Sequence, residues 1–265
     1  MSGVLYVTSF AKDMYMASGR KMIQTFKKFN PNDKLVVCYE KMNFTDPNPK
    51  IIPYNLGESE FLHNWLRDNR DVIPFYLGGA ATPQNNPELL KNEFNRQASR
   101  FFRKIVSIDY AIKTYGKKYQ YVVWVDADAY FIKTIPIKLF DIIFGDNHVF
   151  FHLGPKRERA GLGIESGIFG FRKGNGYRYF KRVANRFRDG SFRQYPKWDD
   201  GFVFRKVWEE EVEANKTRQL SEVIKFRDVV SHLVKSSRNE VTPYGPFKDH
   251  IVHEKGKHKK MKIRI

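Results

Sequence analysis

Near the start of the chain two short apolar runs flank a helical pattern, and this arrangement limits the fold more than any other feature. Val4-Leu5-Tyr6-Val7-Thr8 is rich in β-formers and reads as a buried first strand. A polar loop from Ser9 to Asp13 leads into helical spacing from about Tyr15 to Phe29, which the turn residues Asn30-Pro31-Asn32-Asp33 end. Leu35-Val36-Val37-Cys38-Tyr39 is a second strand. Strand, helix and strand in so short a span form a βαβ unit with a parallel pair, which predicts the α/β class.

The rest of the chain extends that pattern. Residues 40–58, rich in Pro and Asn, read as loop, Ser59 to Arg70 as a short helix, and Val72 to Leu77 as a further strand. Gly78 to Asn86 is a connection, and Pro87-Glu88 opens a long helical pattern that runs to Thr114. Phe101, Phe102, Ile105, Ile108 and Ile112 recur on it at helical spacing and should face the core. Arg96, Arg100, Arg103 and Lys104 share this helix and read mostly as a solvated basic face. Tyr121 to Val125 is the strongest strand signal, with shorter strands at Val149 to His152 and Ile168 to Phe171. Gly174 to Phe187 and Phe202 to Ala214 read as helices, and Ser221 to Val234 as a mixed apolar segment. No repeat or linker divides the 265 residues, so a single α/β domain is expected.

Composition narrows the function classes. The chain is 42% hydrophobic and 29% charged, a globular rather than disordered balance, and its 23 Phe and 14 Tyr supply a large core. A lone cysteine, Cys38, excludes an internal disulfide framework and a Cys-rich zinc site. No apolar run is long enough for a transmembrane helix and the N-terminus lacks a secretory pattern, so a soluble, cytoplasmic protein is expected. The net charge of +18 favours polyanionic or phosphorylated partners and possible contact with anionic surfaces, without choosing among them. Its densest block, Lys255 to Arg264, has six Lys or Arg and no acid, the composition of a solvated tail.

The chemistry concentrates where the strongest strand ends. Ligands of open α/β sheets bind beyond the carboxyl ends of the strands. Asp126-Ala127-Asp128 follows Val125 directly, and strand alternation sends both carboxylates to one side with a small residue between them. Two like charges so placed call for a cation, and hard oxygen ligands favour Mg²⁺ or Mn²⁺ with positions left for a diphosphate.

The segment Tyr121 to Phe131 resembles the Asp-x-Asp segment of GT-A fold glycosyltransferases, and three further segments match in order. The loop Thr8-Ser9-Phe10 resembles the edge that receives the base and ribose of a nucleotide-sugar donor. Glu165-Ser166-Gly167 resembles the small-residue strand start beside donor sugar and acceptor, and Trp198-Asp199-Asp200-Gly201-Phe202 the acidic helix start near the reacting carbon. His253-x-x-Gly256-x-x-Lys259 is similar to the His-x-x-Gly-x-x-Lys motif of the glycogenin and lipopolysaccharide galactosyltransferase family. The aromatic residues that often follow that lysine are replaced here by Met261-Lys262-Ile263.

The resemblance implies a single GT-A (Rossmann-like) domain with a mainly parallel sheet, residues 1–130 forming the nucleotide-sugar half and 131–265 the acceptor half. It implies Asp126, Asp128 and His253 as ligands of Mn²⁺ or Mg²⁺. Thr8, Ser9, Phe10, Arg103, Ala127, Gly256 and Lys259 would join the aspartates around a nucleoside-diphosphate sugar, with UDP-sugar the default. Asp199, Asp200 and Glu165 are the candidate catalytic groups. The two aspartates are open to three roles: a base for the acceptor hydroxyl, a carboxylate that stabilises the sugar cation, or caps of the helix before Phe202. The expected reaction is metal-dependent transfer of a sugar to a carbohydrate or glycan hydroxyl, retaining rather than inverting. The alternatives are an inverting transferase of the same fold, a nucleotidyl- or phosphotransferase, and a basic nucleic-acid-binding protein. Val4 to Lys12 has no phosphate loop, and no nucleic-acid-binding signature is present, so no nucleic-acid partner is expected.

Overall fold

The computed structural model describes residues 3–69, 98–229 and 245–253. The opening βαβ unit forms as its pattern predicts. β1 (Val4–Ala11) is followed by a helical turn (Lys12–Met14), a π-helical turn (Tyr15–Gly19) and α1 (Arg20–Phe29), which returns the chain to β2 (Lys34–Glu40). β1 pairs with β2 in parallel register, Val7 opposite Val36.

Residues 40–58 correct the loop expectation, because they contain β3 (Ile51–Asn55) and a 3₁₀ turn (Leu56–Glu58). β3 is the edge strand beside β2, and an edge tolerates Pro53, which has no N–H to donate. Ser59 then caps α2 (Glu60–Asp68), its hydroxyl accepting from the Leu62 amide at 3.2 Å. The strand expected at Val72 to Leu77, the connection Gly78 to Asn86 and the helix start at Pro87 lie outside the described residues.

After α3 (Ala98–Tyr115) come β4 (Tyr121–Val125), β5 (Ala129–Phe131), α4 (Ile137–Phe144) and β6 (Val149–His152). They are followed by α5 (Gly154–Arg159), β7 (Glu165–Arg172), α6 (Asn175–Arg188) and α7 (Asp200–Asn215). β8 (Phe226–Asp228) and β9 (Ile251–His253) complete the set. Seven strands form one sheet in the order β3-β2-β1-β4-β7-β6-β8, drawn from both halves of the chain. Within it β7 runs antiparallel to its neighbours β4 and β6, and the other pairings are parallel.

Alternation along the central strands feeds two cores. Leu5, Val7, Val36, Cys38, Val122 and Trp124 pack on α3, α6 and α7. Val4, Tyr6, Leu35, Val37, Val123 and Val125 face α1 and α4. Helices cover both faces, so the strands read as unbroken apolar runs. A second sheet of two strands has the larger consequence. β5 pairs antiparallel with β9, Ala129 opposite His253, and so brings the end of the described chain to the turn after β4. Among the described residues no helix is long and apolar enough to cross a membrane.

Candidate metal centre and cleft

The expected carboxylate pair sits at the carboxyl edge of β4. The Asp126 amide donates to the Gly167 carbonyl at 2.9 Å, and the Asp126 carbonyl accepts from the Ala129 amide at 3.0 Å, closing a tight turn around buried Ala127. The β5–β9 pairing sets the His253 imidazole against this turn. Its Nε2 stands 2.9 Å from Asp128 Oδ1 and 3.8 Å from Asp126 Oδ2. Asp126, Asp128 and His253 each offer a ligand atom within 4.8 Å of the other two, so the group can hold a metal ion. Two carboxylate oxygens and one imidazole nitrogen suit Mn²⁺ or Mg²⁺ better than a thiophilic ion.

Gly167 makes the room. A Cβ there would stand 2.3 Å from His253 Cε1 and 2.7 Å from Nδ1, closer than real contacts allow. Gly167→Ala is therefore expected to push the imidazole off the carboxylates and to weaken Mn²⁺ binding about 10–100-fold, the range for disturbed ligand support. Titration of Mn²⁺ into the metal-free variant, followed by electron paramagnetic resonance, reads this directly, and unchanged affinity would refute it.

Lys104 departs from the solvated basic face expected for most of the cations on α3. It is only 8% exposed. Its Nζ lies 3.1 Å from Asp126 Oδ1 and 2.7 Å from Asp200 Oδ2, and donates to the Ser166 carbonyl at 2.8 Å. Burial opposes its charge, but the two carboxylates outweigh burial and hold its pKa above the usual lysine value. Trp124 Nε1 also donates to Asp126 Oδ1, at 2.7 Å. Arg103, on the same helix, is likewise engaged: its Nε pairs with Glu40 Oε1 at 2.6 Å, and it lines the cleft.

The structure separates the two helix-start aspartates. Asp199 is the N-cap of α7, its Oδ1 accepting from the Phe202 amide at 3.0 Å. Asp200 is buried, accepting from Ser166 Oγ at 3.1 Å and its neighbour Gly201 N at 2.9 Å while pairing with Lys104. This packing needs Gly201, whose Cβ would come within 2.4 Å of the Ile164 carbonyl oxygen. Burial first, and then the Asp200 charge, push the Asp199 carboxyl up to about 6. The sign follows from linkage. Asp199 binds its proton more tightly folded than unfolded, so stability falls as pH rises from about 4 to about 6. Asp199→Asn keeps a cap and removes the charge. It is expected to stabilise the protein at pH 7.5 by about 1–2 kcal/mol, allowing for partial exposure, and to give no gain near pH 4. Urea melts at the two pH values check this.

These groups line one cleft of about 580 Å³. Ser9 and Phe10 line it from the end of β1, where the Phe10 ring lies 5.2 Å from Tyr15 and 5.7 Å from Phe44. Glu165 lines the opposite flank, its Oε1 accepting from the Gly167 amide at 3.2 Å. Thr8 is fully buried within β1 and does not line the cleft. Gly256 and Lys259 lie outside the described residues, so the His-x-x-Gly-x-x-Lys segment is described only at its histidine.

Fold and site together define an α/β protein with a candidate metal centre at the carboxyl edge of its sheet. No family model matches the chain, and no curated protein matches it significantly.

Proposed function

We propose that the protein is a metal-dependent glycosyltransferase that moves a sugar from a nucleoside-diphosphate sugar, with UDP-sugar the expected donor, to a carbohydrate hydroxyl with retention. The observation that carries this reading is the convergence of Asp126, Asp128 and His253 beside the Lys104–Asp200 ion pair in one cleft. Asp126, Asp128 and His253 would hold Mn²⁺ or Mg²⁺, whose positive charge offsets the negative charge of the diphosphate leaving group. Ser9 and Phe10 frame the nucleoside at the end of β1, next to the metal strand in the sheet. Asp200, held by Lys104, Ser166 and the Gly201 amide, would be the carboxylate that stabilises positive charge at the anomeric carbon. Asp199 lines the cleft with its carboxyl pushed up to about 6 by burial. Near neutral pH it would accept a hydrogen bond from the acceptor hydroxyl and orient it, while the departing diphosphate takes the proton.

Melting curves with UDP, GDP, CDP and TDP, each with and without Mn²⁺, test the reading. A manganese-dependent rise with one nucleotide supports it and selects the sugars to assay. No rise with any nucleotide, together with salt-sensitive binding to DNA or RNA, would overturn it in favour of the nucleic-acid reading.

A further inference from the structure

The cations around the cleft are not equivalent. The charge of Lys104 is matched by Asp126 and Asp200, and that of Arg103 by Glu40. Arg157, on α5, also lines the cleft, but its contacts are with neutral groups. Its Nε donates to the Gly163 carbonyl at 2.8 Å and its Nη2 to the Ile164 carbonyl at 3.2 Å. Among the described residues no carboxylate oxygen comes within 4.0 Å of its guanidinium. Asp199 feels its field without forming an ion pair with it.

A guanidinium has five N–H donors and keeps its charge at any physiological pH. The two carbonyls use a donor on Nε and one on Nη2, and they orient the planar group without neutralising it. What remains is a half-buried, pre-oriented fork with unspent charge, which matches a two-oxygen anion.

Sheet order says which part of a substrate would meet it. β1, with Ser9 and Phe10, lies on one side of β4, whereas β7 and β6, which leads into α5, lie on the other. A nucleoside at the β1 end and a diphosphate at the β4 edge leave the β6–β7 flank to carbohydrate. Resting on the transferase reading above, we propose that Arg157 is a specificity-determining residue that binds a carboxylate or phosphate group on the carbohydrate. That group belongs either to the sugar transferred or to the one that receives it.

Calorimetry at constant ionic strength in Mn²⁺ distinguishes the two sources. One arm compares UDP-glucuronate and UDP-galacturonate with UDP-glucose and UDP-galactose. The other adds glucose 6-phosphate or galacturonate, against glucose or galactose, to protein saturated with UDP. In one arm the anionic member is expected to bind at least about tenfold more tightly, the effect of one charge-assisted bidentate contact. Arg157→Gln should abolish that preference while leaving the affinity for UDP with Mn²⁺ within about twofold. Arg157→Lys should retain only part of it, because it keeps the charge and loses the fork. Arg159→Gln, at an exposed neighbour, should retain it in full and so controls for the general basic surface. If Arg157→Gln fails to fold, the lysine variant carries the test, and an undiminished preference there overturns the proposal. Equal affinities in both arms, or a preference that survives in a folded Arg157→Gln, also overturn it. Both of those results leave the transferase reading standing if UDP binds with Mn²⁺, whereas failure of UDP to bind the wild type removes both.

Discussion

Replacing Asp128 with Ala is expected to abolish manganese-dependent stabilisation by a nucleoside diphosphate. Asp128 Oδ1 is the carboxylate oxygen nearest His253 Nε2, at 2.9 Å, while Asp126 Oδ2 stands at 3.8 Å. Without Asp128 the centre keeps one carboxylate and one imidazole, too few to hold a hard cation that retains several waters. The diphosphate would then face Asp126 with no metal charge between them. A ligand that binds only the folded state at a hundredfold excess over its Kd contributes about 2.7 kcal/mol, so the wild type should gain roughly 5–10 °C with UDP and Mn²⁺. The variant should gain none, and its transfer rate should fall by about three orders of magnitude, the scale of several kcal/mol lost from the barrier. A nucleotide shift that persists undiminished in Asp128→Ala would remove these residues from the metal site.

Lys104→Ala is expected to destabilise the protein strongly. Lys104 sits between Asp126 and Asp200, and the Asp200 side chain is only 2% exposed. Breaking a buried pair by deleting one partner costs about 3–5 kcal/mol, because the other charge stays buried without compensation. In a chain of this size that is on the order of 10 °C in Tm. Asp200→Asn in the same background removes the orphaned charge and should recover at least about 1 kcal/mol, a coupling that a double-mutant cycle by urea unfolding measures. A loss below about 1 kcal/mol for Lys104→Ala would mean that the pair is solvated and does not organise the cleft.

How much of this could be read in advance depended on whether the signal was local. Tyr121 to Val125 was legible because a strand covered on both faces must be apolar at every position, and β4 is buried throughout. Helix capping was legible as one of the roles open to Asp199 and Asp200, because an Asp just before a helical run accepts a backbone N–H two or three residues ahead. Only the structure assigns it to Asp199. Lys104 carried no such mark. It stands among Phe101, Phe102 and Ile105, where a lysine reads as a basic edge until the helix is docked on a sheet whose adjoining turn carries Asp126. β3 was hidden by Pro53, which is incompatible with a central strand and acceptable at an edge. β9 was hidden by its brevity, three residues beside a lysine-rich tail.

By itself, then, the sequence determined the α/β class, the central parallel strands and the strand edge that carries the two carboxylates, because these follow from periodicities of a few residues. Asp126 and Asp128 converge through the tight turn after β4 rather than through strand alternation. The meeting of His253 with Asp128 across 125 positions was implied only by the family resemblance. Tertiary structure alone decided the β5–β9 pairing that brings it about and the bridge that Lys104 makes between Asp126 and Asp200. Those contacts exist because strand pairing and helix docking bury apolar surface over long sequence separations, and no local pattern encodes where such distant partners come to rest.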